Sequence, residues 1–103
     1  MLINFNQTFR MFGRTEPLTK PNSKEPFLLL DAAIEALIAP EEGLLGPEKV
    51  ERWKLAAKIF ANHATIELTV EEVAKLKDLI AKAFPSPLVV GQAWQMLEGG
   101  SNG

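Results

Sequence analysis

The chain contains no cysteine. That absence excludes disulfide staples, thiolate zinc sites, iron–sulfur clusters and cysteine nucleophiles together, and it fits a reducing compartment. Histidine is nearly as scarce, His63 being the single one. A nucleophile–base pair would have to use it, yet no carboxylate is spaced to orient it. It reads as a surface residue in the last turn of a helix, where a cation suits the helix dipole. Excess charge of one sign is also missing. The net charge is −2, so no global basic field advertises nucleic acid. Long apolar runs are absent too: Phe27–Leu30 and Ala32–Ile34 fall far short of the ~20 residues of a membrane span. Met1–Phe12 lacks a positive segment and is interrupted by Asn4, Asn6 and Gln7, unlike a signal peptide. These absences lead us to expect a soluble cytoplasmic protein with no membrane contact.

What is present is ordinary globular composition, with 47% hydrophobic and 23% charged residues over 103 positions. That amount of chain makes one domain and rules out disorder over most of its length. We expect one domain over 1–98, with an extended or hairpin segment at 1–28 and helices over 29–98. Gly99-Gly100-Ser101-Asn102-Gly103 reads as a flexible tail.

The first 28 residues carry strand grammar. Ile3, Phe5, Phe9 and Met11 alternate with polar neighbours, the period of a strand with one buried face. Pro21-Asn22-Ser23-Lys24 is turn chemistry, so a short hairpin is the simplest reading. Pro17 and Pro26 restrict these strands to edges or ends. No internal repeat is apparent.

Helical grammar takes over from Leu29. A first helix runs to Ala39 and stops at Pro40. A second opens on Pro47, a first-turn position where a missing N–H costs nothing, and runs to Asn62. Val50, Trp53, Ala57, Phe60 or Ala61, and Ala64 read as its core stripe, widened by Leu55, Ala56 and Ile59. Thr69-Val70-Glu71-Glu72 is a capping box opening a third helix, with Val73, Leu76, Ile80 and Ala83 as its stripe. Pro85-Ser86-Pro87 breaks and restarts the chain, and a last helix from Leu88 to Glu98 ends at Gly99-Gly100, a natural C-cap. The expected class is α+β, mainly α: an N-terminal strand or hairpin followed by a compact bundle of four short helices.

No catalytic, cofactor or metal constellation emerges. Glu41, Glu42, Glu48 and Glu51 lack the spacing of a calcium loop. Gly43-Leu44-Leu45-Gly46 lacks the remainder of a phosphate loop. Three surfaces remain. The last helix is apolar on more than one face and is either central or an oligomer or partner interface, with Val89, Val90, Trp94, Met96 and Leu97 as its contacts. Asp31, Glu35, Glu41 and Glu42 give the stretch Phe27–Gly46 a charge of −4, an acidic contact face. Lys49, Arg52, Lys54 and Lys58 surround Trp53, a nucleic-acid theme that the placement of Trp53 in the core stripe argues against.

The order of these elements carries a resemblance. Gly46-Pro47-Glu48-Lys49 leads into Arg52-Trp53-x-Leu55-Ala56-x-Lys58-Ile59. Then come Glu67-Leu68-Thr69-x-Glu71-Glu72, Lys77-x-Leu79-Ile80-x-Lys82-x-Phe84, and Pro87-Leu88-Val89-Val90-Gly91-Gln92-Ala93-Trp94. This resembles a group of small proteins, about 100 residues long, encoded by tailed bacteriophages and prophages and mostly without assigned function. It spans roughly Phe12 to Glu98 and implies a phage setting in the host cytoplasm, with no active-site residues to carry over. The expected function is then non-enzymatic: protein–protein contact in virion assembly or as an adaptor to a phage protein. The alternatives are an inhibitor of a host defence or polymerase complex, and a nucleic-acid accessory factor. A protein partner or a homo-oligomer is expected, and no cofactor.

Overall fold

The computed structural model describes residues 1–62 and 64–98. His63, the glycine C-cap and the tail, each assigned a role above, lie outside the described residues. The element order is β1 (Leu2–Ile3), α1 (Leu29–Ile38), α2 (Gly46–Ala61), β2 (Ile66–Glu67), α3 (Val70–Ala83) and α4 (Pro87–Leu97). The fold is α+β and mainly α.

The partner of β1 is β2, in antiparallel register with Leu2 opposite Glu67 and Ile3 opposite Ile66. The Met1 carbonyl and amino group extend this ladder through two 2.8 Å hydrogen bonds to Leu68. The chain's start is thereby tied to the connector between α2 and α3. Ile3, Ile66 and Leu68 are buried at this seam.

Between β1 and α1 the backbone forms a device that the sequence did not announce. The Phe9 N–H donates to the Phe27 carbonyl, the Leu18 N–H to the Phe9 carbonyl, and the Phe27 N–H to the Leu18 carbonyl, at 2.7–2.9 Å. Three extended stretches of one segment, joined by isolated bridges, thus close a ring of hydrogen bonds. The three residues are spaced nine apart, and so are the turns between them. Met11 donates to Glu16 and Lys20 to Glu25; Arg14 donates to Met11 and Ser23 to Lys20. Each turn uses a left-handed residue, Gly13 (φ 71°) and then Asn22 (φ 58°), the two types that reach that region most cheaply. Each unit ends on Glu-Pro, at Glu16-Pro17 and Glu25-Pro26. The segment is therefore a two-unit repeat, where the sequence showed none. Its expected turn at Pro21–Lys24 is in place, closed by Lys20 and Glu25.

This segment also starts α1. The Leu29 and Leu30 N–H groups, which a helix start leaves without intrahelical partners, donate at 2.9 Å to the carbonyls of Gln7 and Phe5. Asp31 adds a carboxylate that accepts the Leu28 N–H at 3.0 Å. Phe5 and Phe9 are fully buried beneath α1, and Phe9 stacks on Phe27 at 5.0 Å between ring centroids. Met11, the last residue of the expected buried alternation, is exposed, because the first turn has already begun there.

Helix α1 is the centre of the bundle, packed on both α2 and α3. Its small buried residues, Ala32, Ala33 and Ala36, let the neighbouring helices come close. Helix α3 opens on the expected capping box. Thr69 Oγ1 accepts the Glu72 N–H at 3.1 Å, and Glu72 Oε1 accepts the Thr69 N–H at 2.8 Å. Helix α4 opens on Ser86, whose hydroxyl accepts the Leu88 N–H at 3.2 Å.

Helix α4 is held inside the fold along one side. Val89, Ala93 and Leu97 join the core, and Met96 packs against it. Gln92 locks it to the repeat: its Oε1 accepts the Arg10 N–H and its Nε2 donates to the Arg10 carbonyl, both at 2.9 Å. A side-chain amide here stands in for a strand partner.

Candidate functional site

Helix α2 turns inward the widened flank of its expected stripe rather than the stripe's centre. Leu55, Ala56 and Ile59 are buried, together with Arg52 at 8% exposure. The centre of that stripe points outward: Val50 is 50% exposed, Trp53 66% and Phe60 66%, and Ala57 is exposed with them. At 100° per residue the two stripes lie roughly 100–130° apart on the helix. Both have helical spacing, and α1 and α3 cover only one of them.

The inward face is chosen by two features. Leu55, Ala56 and Ile59 combine close approach with branched bulk against α1. Arg52 is carried in because carboxylates are waiting for it. Its Nε donates to Glu48 at 3.0 Å and its Nη1 to Glu41 at 3.1 Å. Glu48 also accepts from Lys75 of α3 at 3.0 Å, Glu51 lies 3.4 Å from Lys75, and Lys82 lies 3.7 Å from Glu41. This network ties the α1–α2 loop, α2 and α3 together. Hydrogen bonds from Lys75 and then Arg52 hold the Glu48 carboxyl below its ordinary value. The bond to Glu48 in turn raises Lys75. Burial pulls the Arg52 guanidinium down, but its bonds to Glu48 and Glu41 outweigh that, and it too is raised.

The expected basic patch is dispersed by this arrangement. Arg52 is locked inside the network, and Lys58 lies 3.8 Å from Glu72 of α3. Lys49 and Lys54 remain exposed on either side of Trp53. The acidic face is divided as well. Asp31 caps α1 and pairs with Lys20 at 3.4 Å. Glu41 belongs to the Arg52 network, while Glu35 and Glu42 are exposed.

The packing divides the expected α4 contact set. Val89 and Leu97 are buried in the chain's own core, and Val90 and Met96 are half-buried. Trp94 is partly exposed but occupied: its Nε1 donates to the Lys77 carbonyl at 3.1 Å, and the Lys77 ammonium sits 5.3 Å from its ring centroid. Four of these five side chains thus face inward wholly or in part, and the fifth is tethered to α3. Helix α4 thus joins the core along one side, while Pro87, Gly91, Trp94 and Gln95 stay on its exposed side.

The surface that is left is built on α1 and α2. Ile38 of α1 is 59% exposed and stands between two hollows. One, about 240 Å³, is lined by Ile38, Pro40, Leu44, Lys49 and Trp53 among others. The other, about 370 Å³, is lined by Pro21, Leu30, Ile34, Glu35, Ile38 and Phe60 among others. Trp53 and Phe60 are seven residues apart, roughly 10 Å along the helix. An apolar ridge of this kind, rimmed by charges, is the usual mark of a contact surface on a soluble protein, and aromatic side chains are the usual anchors of one. Sequence reasoning found these residues but placed them in the core. Residue type does not separate the stripes, since alanine and aliphatic residues stand on both, Ala57 and Val50 outward and Ala56 and Leu55 inward.

Among the described residues no group of three or more acidic or histidine side chains is placed to hold a metal ion. None of their helices is long and apolar enough to cross a membrane. No protein-family model matches the chain, and neither a curated protein nor a solved structure is found similar to it.

Proposed function

We propose that this is a non-enzymatic phage protein that acts through protein–protein contact, in virion assembly or as an adaptor, and that the outward face of α2 with Ile38 is its contact surface. The observation that supports this reading is the exposure of Val50, Trp53 and Phe60 along α2 and of Ile38, which shares a hollow with Trp53 and another with Phe60. Leaving such side chains in water costs about 25 cal/mol per Å² of apolar area, and covering them with a partner recovers it. The phage setting rests on the sequence resemblance and brings the host cytoplasm with it. The test is affinity capture from cells producing the phage that carries the gene, comparing the native chain with Trp53→Lys. Capsid or tail proteins captured by the native chain and lost with the variant are expected. Equal capture by both would remove this face from the account, and recovery of a host complex would favour the inhibitor reading.

A second reading gains from the same exposure. Trp53 is not core, and it stands in solvent between Lys49 and Lys54, so the nucleic-acid alternative keeps a stacking aromatic with two cations. It loses Arg52. A salt-sensitive shift of single-stranded DNA that disappears with Lys49→Ala and Lys54→Ala supports it; no binding at low salt excludes it.

A further inference from the structure

We infer that the occupant of the α1–α2 face is a second copy of the same chain, related by a two-fold axis. The inference rests on the reading of this face as a protein contact surface and names what covers it. Two observations carry it.

The first is charge. At one hollow the Lys20–Asp31 pair is internally compensated, which leaves Glu35. At the other, Arg52 is compensated by Glu41 and Glu48, which leaves Lys49. Neither Glu35 nor Lys49 has an ion-pair partner among the described residues. The linings of the two hollows thus hold one uncompensated acid and one uncompensated base, on opposite sides of Ile38, with Lys54 outside both. A two-fold axis through such a face sets Lys49 of each copy against Glu35 of the other, because a two-fold interface is self-complementary: if i meets j, j meets i. A partner aligned the opposite way would set like charges together.

The second is fit and size. The hollows ask for an amphipathic helix with large apolar side chains about two turns apart, the usual form of helix-in-groove recognition. Helix α2 carries such a pair in Trp53 and Phe60, so each copy offers both the groove and the helix that enters it. At the roughly 150–250 Å² of an aromatic side chain, these two residues leave on the order of 250–300 Å² exposed per copy. With Ile38 and Val50 the two copies together bury about 900 Å², near the ~1,000 Å² where specific interfaces begin. That area predicts a weak dimer.

The measurement is sedimentation equilibrium of the full chain. The native protein is expected to pass from monomer to dimer between about 1 and 200 µM, the weak end of the affinities that interfaces show. Trp53→Lys should stay monomeric over that range with an unchanged thermal melt, since the side chain makes little internal contact. Glu35→Lys and Lys49→Glu should each weaken the dimer about tenfold, because each reversal spoils two symmetry-related pairs. The double variant Glu35→Lys/Lys49→Glu should recover most of the loss. A native chain monomeric throughout overturns the inference, as does a dimer indifferent to Trp53→Lys. Singles that weaken it without rescue in the double variant overturn the two-fold arrangement. A monomer that still loses its capsid or tail partner through Trp53→Lys would defeat only the self-association and leave the proposed contact surface standing.

Discussion

Helices α2 and α4, the first rich in charge and the second without a charged residue, handle their apolar surplus oppositely in the fold. Both carry more apolar residues than one stripe needs, and both carry a tryptophan. In α4 the surplus is absorbed: Gln92 pins one side to Arg10, Trp94 is bonded to the Lys77 carbonyl, and Leu97 is fully buried. In α2 the surplus is left in water, with Trp53 and Phe60 each 66% exposed. The difference is one of neighbours. Helix α4 is clamped between α3 and the nine-residue repeat, whereas α2 meets the rest of the molecule along one side only. Apolar content tells how much surface a helix has to cover, and the partners in the fold decide whether the chain covers it or leaves it to another molecule.

The sharpest way to break this comparison is to truncate neighbouring residues on the two faces of α2. Ile59→Ala, on the inward face, should cost about 2–5 kcal/mol in chemical denaturation. Phe60→Ala, one position on, should stay within about 0.5 kcal/mol as a surface change. Similar losses for the two would contradict the assignment of faces. Next in size is Arg52→Ala, which removes two charge-assisted hydrogen bonds and the packed stem. It should cost about 1–3 kcal/mol, against no measurable change for Lys54→Ala. Equal effects would return Arg52 to the solvated face that its sequence suggested.

The other helix offers a smaller effect. Trp94→Phe deletes the bond to the Lys77 carbonyl and should cost about 1 kcal/mol, with no change in the sedimentation of the protein. Altered self-association in this variant would restore α4 as an interface. The smallest effect concerns pH. The Glu48 carboxyl is held below its ordinary value of 4.5 by Lys75 and Arg52. In the window between those two values the unfolded chain binds more protons, so stability rises with pH. Its contribution is complete above about 4.5 and is lost as pH falls through the lower, folded value. Thermal melts of Glu48→Gln should therefore change less below pH 4.5 than those of the native chain. Parallel curves would mean that Glu48 is not the group responsible.

What could be read from the sequence was local. Pro40 ends α1, Thr69 and Glu72 cap α3, and Ser86-Pro87 starts α4, each as its chemistry dictates within a few residues. The class and the helix order followed from such signals. Less legible were features whose cause lies far along the chain. The partner of β1 is two residues long and more than sixty residues away. The repeat is marked by little beyond two Glu-Pro steps and the pairing of Gly13 with Asn22, and its third arm, Phe27, belongs to no complete unit. The candidate surface was half legible: Trp53 and Phe60 were recognised as one stripe, but periodicity fixes a stripe's direction only relative to its own helix. Arg52 pointed the other way for the same reason. A charged residue reads as solvated until the carboxylates that receive it, here Glu41 and Glu48, are seen to converge.

The most direct test of the account is hydroxyl-radical footprinting of the native chain over a range of concentrations. Trp53 and Phe60 should become protected as concentration rises, while Trp94, already engaged with Lys77, should keep constant reactivity. Protection of Trp94 with Trp53 unchanged would contradict the account and make α4 the contact surface.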